Sequence, residues 1–192
     1  MSEPLVAGIL LAGGSSRRMG RDKTQLVVGG VTLARRSAAL LEQVAATAVE
    51  VGPGVSGLAA TRESPAGEGP LAAVAEGRRA LRERGHEGPA LVVACDLPFL
   101  SLDLLRFLAN YEAPGTVLPV VDGRVQPLCA RWGALDLDAA SGLVASGVRS
   151  LRHLLDRPGV TILDETAWGT VATSQTFADV DSPEDLARYG LG

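Results

Sequence analysis

The sequence has few of the residues on which metal and nucleophile chemistry usually rests. Its 192 residues include two cysteines, Cys95 and Cys129, and two histidines, His86 and His153. The cysteines lie 129 − 95 = 34 positions apart and form no C-x-x-C pair. This excludes a disulfide framework and a structural zinc, and it fits a reduced intracellular setting. Both cysteines fall in segments that read as strands, where a free thiol packs as a small buried apolar group. His86 stands in a Gly-flanked polar loop and His153 in a short helix, so no Ser-His-Asp arrangement is indicated.

Positive charge is in deficit. Basic and acidic groups balance as 18 − 22 = −4, which gives the chain no global electrostatic attraction to nucleic acid or to an anionic membrane. No apolar run reaches the ~20 residues of a membrane span, and no basic segment precedes a long apolar stretch at the start of the chain. The expected location is therefore the cytoplasm. Two large domains do not fit into 192 residues, whereas a composition 46% apolar supports one globular domain, 1–192, with a sizeable core. Lysine is the scarcest basic type: 17 of the 18 basic residues are arginine, and the other is Lys23.

What is present is an alternation of strand-length apolar runs with helix-length periodic segments. That pattern specifies an α/β fold, a three-layer sandwich with a Rossmann-like, mostly parallel sheet. Strands are expected at Val6 to Leu10, Ala48 to Val51, Thr116 to Val120, Gln126 to Trp132 and Val160 to Leu163. The most continuous run, Ala90 to Cys95, reads as a strand buried on both faces and ends in Asp96. Gly29-Gly30 and Asp122-Gly123 are hairpin signals. Helices are expected over Leu33 to Ala46, Leu71 to Arg84, Leu135 to Ser146 and Leu151 to Asp156. Another follows the N-cap Ser101 through Asn110, and the last is capped by Ser182 with Pro183 in its first position. The stretch from Thr61 to Pro70 reads as an irregular loop.

The chemistry is concentrated where the first strand ends. From Ala12 to Gly20 the chain is Gly-rich, and open α/β sheets bind ligands at this carboxyl edge. Gly13 and Gly14 permit close backbone approach, so their N–H groups can line an anion-binding concavity. Arg17, Arg18, Arg21 and Lys23 place four cations within seven positions of a net-negative chain. One such cation about 4 Å from an anionic charge contributes roughly 4 kcal/mol at an effective dielectric near 20, before desolvation, so a polyphosphate is the natural ligand. A solvated arginine loop is the plainer alternative. Lys23, a compact ammonium on a flexible stem, reaches between phosphate oxygens where a planar guanidinium does not. The segment is neither a Walker loop nor a dinucleotide fingerprint: Arg21, not Lys, follows Gly20, and G-x-G-x-x-G is absent.

Leu11-Ala12-Gly13-Gly14, Arg17-Arg18-Met19-Gly20 and Asp22-Lys23 resemble the signature of the MobA-like nucleotidyltransferases, and among them the molybdenum cofactor guanylyltransferases. The resemblance continues through Gly69-Pro70-Leu71-Ala72, Cys95-Asp96-Leu97-Pro98, Gln126-Pro127-Leu128 and Asp179 to Asp185. It implies a nucleotidyltransferase fold, Mg²⁺ as cofactor, and GTP and molybdenum-molybdopterin as partners. It also implies proteins that deliver or accept the molybdenum cofactor. The implied reaction joins GMP from Mg-GTP to the molybdopterin phosphate, giving the guanine dinucleotide cofactor and pyrophosphate. Carried onto this chain, the implied catalytic residues are Lys23, Arg18 and Asp96. The nucleotide-binding set is Leu11, Ala12, Gly13, Gly14, Lys23, Glu63 and Asp96, with the metal on Asp96. The acceptor side is Gln126, Pro127, Asp179 and Asp181.

The residues themselves leave alternatives open. A carboxylate closing a buried strand needs a partner, which for Asp96 is Mg²⁺ or a helix cap or loop contact. Asp179 and Asp181 either reach the acceptor or steady the start of the last helix. Glu63 is the nearest carboxylate to the acidic position that relatives carry before Gly-Pro-Leu, and Gly52 stands near a position that is Asn in some of them. Two other functions compete with the guanylyl reading: a related cytidylyltransferase acting on CTP, and a non-catalytic nucleotide-binding module. The double glycine at 13 and 14 favours the guanylyl branch, and the retention of Lys23 and Asp96 favours catalysis.

Overall fold

A computed structural model describes residues 6–13, 26–65, 67–180 and 183–191, without the side chains of Pro183 and Leu186. Strand β1 (Ala7–Leu11) is buried along its whole length. It pairs in parallel with β4 (Ala48–Val51) on one side and β6 (Ala90–Ala94) on the other. Parallel pairing continues from β4 to β5 (Ala59–Thr61) at one edge. Beyond β6, strand β9 (Cys129–Trp132) runs antiparallel to both β6 and β7 (Val117–Val121), and β10 (Thr161–Leu163) closes the far edge parallel to β7. With β8 (Arg124–Val125) hairpinned onto β7, the order is β10-β7-β9-β6-β1-β4-β5. A separate ribbon joins β2 (Val27–Val28) to β3 (Val31–Thr32) through Gly29-Gly30, both at positive φ, as the mirror-image turn of a tight hairpin requires.

Alternation along the strands feeds two cores. Leu10, Leu91 and Val93 face one layer, built by α1 (Leu33–Leu41), α3 (Leu102–Asn110) and the short α6 (Glu165–Trp168). Ile9, Leu11 and Val92 face the other, built by α2 (Pro70–Arg82), α4 (Ala134–Ala145) and α5 (Arg152–Leu155). Helix α2 lies hard against the sheet: a Cβ on Gly77 would stand 2.6 Å from Ile9 Cγ2. The last helix, α7 (Pro183–Tyr189), returns to the loop after β6, where Tyr189 meets Phe99 edge to face at 5.2 Å.

The expected elements form with local differences. Ala59–Thr61 becomes an edge strand because its backbone completes the ladder of β4; two exposed alanines carry no apolar signal for it. The expected strand over Gln126 to Trp132 breaks at Gln126-Pro127-Leu128. There the chain changes partner, Gln126 N–H bonding to the Pro119 carbonyl of β7 and Ala94 N–H to the Leu128 carbonyl. Helix α1 stops at Leu41, short of Ala46, whose N–H is taken by the Val6 carbonyl. α6 and the 3-10 turn Ser174–Phe177 are too short to leave a periodic signature, yet they bring Trp168 and Phe177 together at 5.0 Å over the first core. Ser101 caps α3 as expected, accepting from Leu104 N–H at 3.3 Å. The proposed cap Ser182 lies outside the described residues.

Candidate nucleotide site

Three parallel strands end side by side at the carboxyl edge of the sheet. Ala12 N–H donates to the Val51 carbonyl at 3.0 Å, and Cys95 N–H donates to the Leu11 carbonyl at 3.1 Å. The residues leaving β4, β1 and β6 are thus stitched into one row: Gly52, Ala12-Gly13 and Cys95-Asp96. Ala12 is buried and Gly13 exposed, so the first glycine of the Gly-rich segment faces solvent at this edge. The remaining expected phosphate ligands, Gly14, Arg17, Arg18, Arg21 and Lys23, lie outside the described residues.

Asp96 is half-buried where the most hydrophobic strand runs out. Its backbone carbonyl accepts from Val180 N–H at 3.0 Å, which seats the Asp179 segment against the end of β6. Asp179 is exposed there, and Asp181 lies outside the described residues. The Gln126-Pro127-Leu128 turn comes to the same edge from the other side through the Leu128 carbonyl, which accepts from Ala94 N–H at 2.8 Å. Within it, the Gln126 side-chain amide donates to the Arg124 carbonyl at 3.1 Å, and the Pro127 carbonyl accepts from the Trp132 indole at 2.9 Å. The turn is held by its own strand rather than left to a ligand.

The penultimate residue of β4, Glu50, organises the loop that follows the strand. Glu50 is fully buried, and its carboxylate accepts the N–H groups of Gly54 at 2.6 Å, Val55 at 3.2 Å and Ser56 at 2.8 Å. Burial pushes its carboxyl pKa up, but the Ser56 hydroxyl and these N–H groups outweigh burial and hold it below 4.5. The signal was present, as a lone acid in an apolar strand followed by Gly-Pro-Gly. Gly52 has no room for a side chain, since a Cβ would stand 2.9 Å from the carbonyl carbon of Ala12.

Glu63 closes its own loop, accepting Gly67 N–H at 3.1 Å. It also borders a groove of about 740 Å³ between α2 and α4, whose charges neutralise one another through pairs such as Arg149–Glu68 at 2.5 Å and Arg82–Asp138 at 3.1 Å. Gly69 begins α2 with φ +96°, a conformation that favours glycine over other residues. Pro70 then takes the first helical position, where its missing N–H costs nothing. Cys129 is a packing residue; burial alone pushes its thiol up to about 12.

Among the described residues no group of three or more His, Cys, Asp and Glu is placed to hold a metal alone. Mg²⁺ takes one or two protein carboxylates together with substrate phosphates. The half-buried oxygen ligand of Asp96 fits such a site. Among the described residues no helix is long and apolar enough to cross a membrane.

The model of the MobA-like NTP transferase domain family matches residues 8–169. A molybdenum cofactor guanylyltransferase from Rhodobacter capsulatus is 35% identical over 190 residues, covering 95% of this chain and 94% of the relative. Among solved structures, molybdopterin-guanine dinucleotide biosynthesis protein A from Archaeoglobus fulgidus superposes with a TM-score of 0.76 at 23% identity, covering 95% and 96% of the two chains. A 4-diphosphocytidyl-2C-methyl-D-erythritol synthase from Anaerococcus prevotii reaches 0.70 at 16% identity, covering 95% and 93%. At those identities the two structures speak for the fold alone.

Proposed function

The chain belongs to the MobA-like NTP transferase family, on its molybdenum cofactor guanylyltransferase branch, and from that premise we infer that it transfers GMP from GTP to molybdenum-molybdopterin. It is a nucleotidyltransferase. The observation that supports this reading best is the row Gly52, Ala12-Gly13, Asp96, which sets the first glycine of a cation-rich segment beside a carboxylate at adjoining strand ends. Backbone that could take phosphate and a carboxylate that could hold a metal, on neighbouring strand ends, are what transfer from a nucleoside triphosphate requires.

In the proposed reaction an oxygen of the acceptor phosphate forms a bond to the α-phosphorus of GTP, and the bond to the α,β-bridging oxygen breaks. Pyrophosphate leaves with that oxygen. The nucleophile is already an anion, so no general base is needed, and catalysis rests on positioning and electrostatics. Asp96 is the residue that would hold Mg²⁺, whose contribution there is to neutralise triphosphate charge. Leu11 to Gly14 supply backbone to the triphosphate, and Lys23 and Arg18 offset the charge gathering on pyrophosphate. Gln126, Pro127, Asp179 and Asp181 are the residues we assign to the acceptor. We place the enzyme in the cytoplasm, as one domain, meeting proteins that deliver or accept the cofactor.

The test is pyrophosphate release in a competition of GTP, CTP and ATP with Mg²⁺ and the acceptor. A GTP preference is expected. A CTP preference moves the chain to the cytidylyl reaction, and nucleotide binding without pyrophosphate release makes it a binding module.

A further inference from the structure

Beside the row at the carboxyl edge stands an arginine that belongs to neither the Gly-rich segment nor the Asp96 strand end. The last rung of the β4–β5 ladder is Gly52 N–H to the Thr61 carbonyl, at 2.9 Å. A continuing strand would next offer the Glu63 N–H to the Gly52 carbonyl. Instead the Arg62 side chain takes that rung, donating its Nε–H to the Gly52 carbonyl at 3.0 Å. The guanidinium is therefore fixed to the residue that packs directly on Ala12, where a Cβ on Gly52 would stand 2.9 Å from the Ala12 carbonyl carbon.

Its partner is a neutral carbonyl. Among the described residues no carboxylate pairs with Arg62, and Nη1 and Nη2 make no hydrogen bond, while the residue is exposed. An end-on fork of two donors, held on Gly52 beside the candidate nucleotide site, matches a ligand with two adjacent acceptors. Guanine offers that pair in O6 and N7. Adenine sets an amine donor beside N7 and so opposes a donor to a donor, whereas free cytosine presents O2 and N3 as adjacent acceptors, so the fork selects guanine over adenine. We propose that Arg62, positioned by the Gly52 carbonyl, reads the O6/N7 edge of the guanine base and is a specificity-determining residue of this enzyme. The proposal rests on the guanylyl reading given above and adds the residue that selects the base.

Binding of GTP and of 7-deaza-GTP, which has carbon in place of N7, is measured by calorimetry on the native chain and on Arg62→Ala and Arg62→Lys. The native chain is expected to bind 7-deaza-GTP about tenfold more weakly than GTP, the scale of one lost base-edge contact. Arg62→Ala is expected to bind both nucleotides alike, at the weakened level. Arg62→Lys keeps the charge without the fork and is expected not to restore the difference. In turnover, Arg62→Ala is expected to raise KM for GTP, to leave kcat within a few-fold and to narrow the GTP-over-ATP preference. Equal binding of the two nucleotides by the native chain overturns the proposal, as does an undiminished difference in Arg62→Ala; GTP binding itself then still supports the guanylyl reading. If the native chain fails to bind GTP or prefers CTP, the guanylyl reading falls and the assignment of Arg62 falls with it.

Discussion

Asp96 and Glu50 are both acids at the carboxyl ends of buried strands; Glu50 serves its own loop, and for Asp96 we propose the metal. The Glu50 carboxylate is occupied by the N–H groups of its own loop, whereas Asp96 sits half-buried in the row that leads to the Gly-rich segment. Replacing Asp96 by Asn is therefore expected to lower kcat by about a hundredfold or more, the scale of removing a preorganised electrostatic contact, with an unchanged melting temperature. Lys23→Ala is expected to do the same; near-normal pyrophosphate release by either variant would count against the assignment. Glu50→Gln is a stability change. Because the folded pKa lies below 4.5, the contribution of the carboxylate is complete above that value and is lost as pH falls through the folded pKa. Urea melts should show Glu50→Gln less stable by about 1–3 kcal/mol at pH 7, with the gap shrinking under acid conditions. A constant gap would mean that the ionised form of Glu50 is not what the loop binds.

Elements set how closely those residues approach. Helix α2 reaches the sheet through Gly77, so Gly77→Ala gains about 1 kcal/mol of helix propensity but drives a methyl to 2.6 Å from Ile9. Overpacking of that kind costs about 1–3 kcal/mol, so a net fall in stability is expected in denaturant melts. A rise in stability would show that α2 can lift from β1. At this scale the sequence was legible where a local signal was strong: the apolar run of β6, the Ser101 cap and the Asp122-Gly123 turn, whose φ values of +48° and +74° match the mirror-image hairpin. It was illegible where pairing alone makes the element. Ala59–Thr61 is a strand only because β4 lies beside it, and Gln126–Leu128 breaks a β-like run only because the chain there trades β7 for β6.

In the whole molecule the candidate site lies where the chain diverges from β1 toward β4 on one side and β6 on the other, the place where open α/β sheets bind ligands. The motifs that compose it are dispersed from Leu11 to Asp185, and each reads locally as a turn, a strand end or a cap. Leu11-Ala12-Gly13, Asp96 and the Asp179 segment were expected together through the family resemblance, and the structure brings their backbones to one sheet edge. The Glu50 loop left a local signal, a lone acid in an apolar strand before Gly-Pro-Gly, whereas the Arg62–Gly52 contact left none, because an arginine on a carbonyl of the neighbouring strand acquires meaning only from the fold. The central claim is that this edge joins GMP to molybdopterin, and it is tested most directly by incubating the protein with Mg-GTP and molybdenum-molybdopterin. Chromatography should show the guanine dinucleotide and an equal amount of pyrophosphate from the native chain, and at most traces from Asp96→Asn. No dinucleotide from the native chain, or full yield from Asp96→Asn, would contradict it.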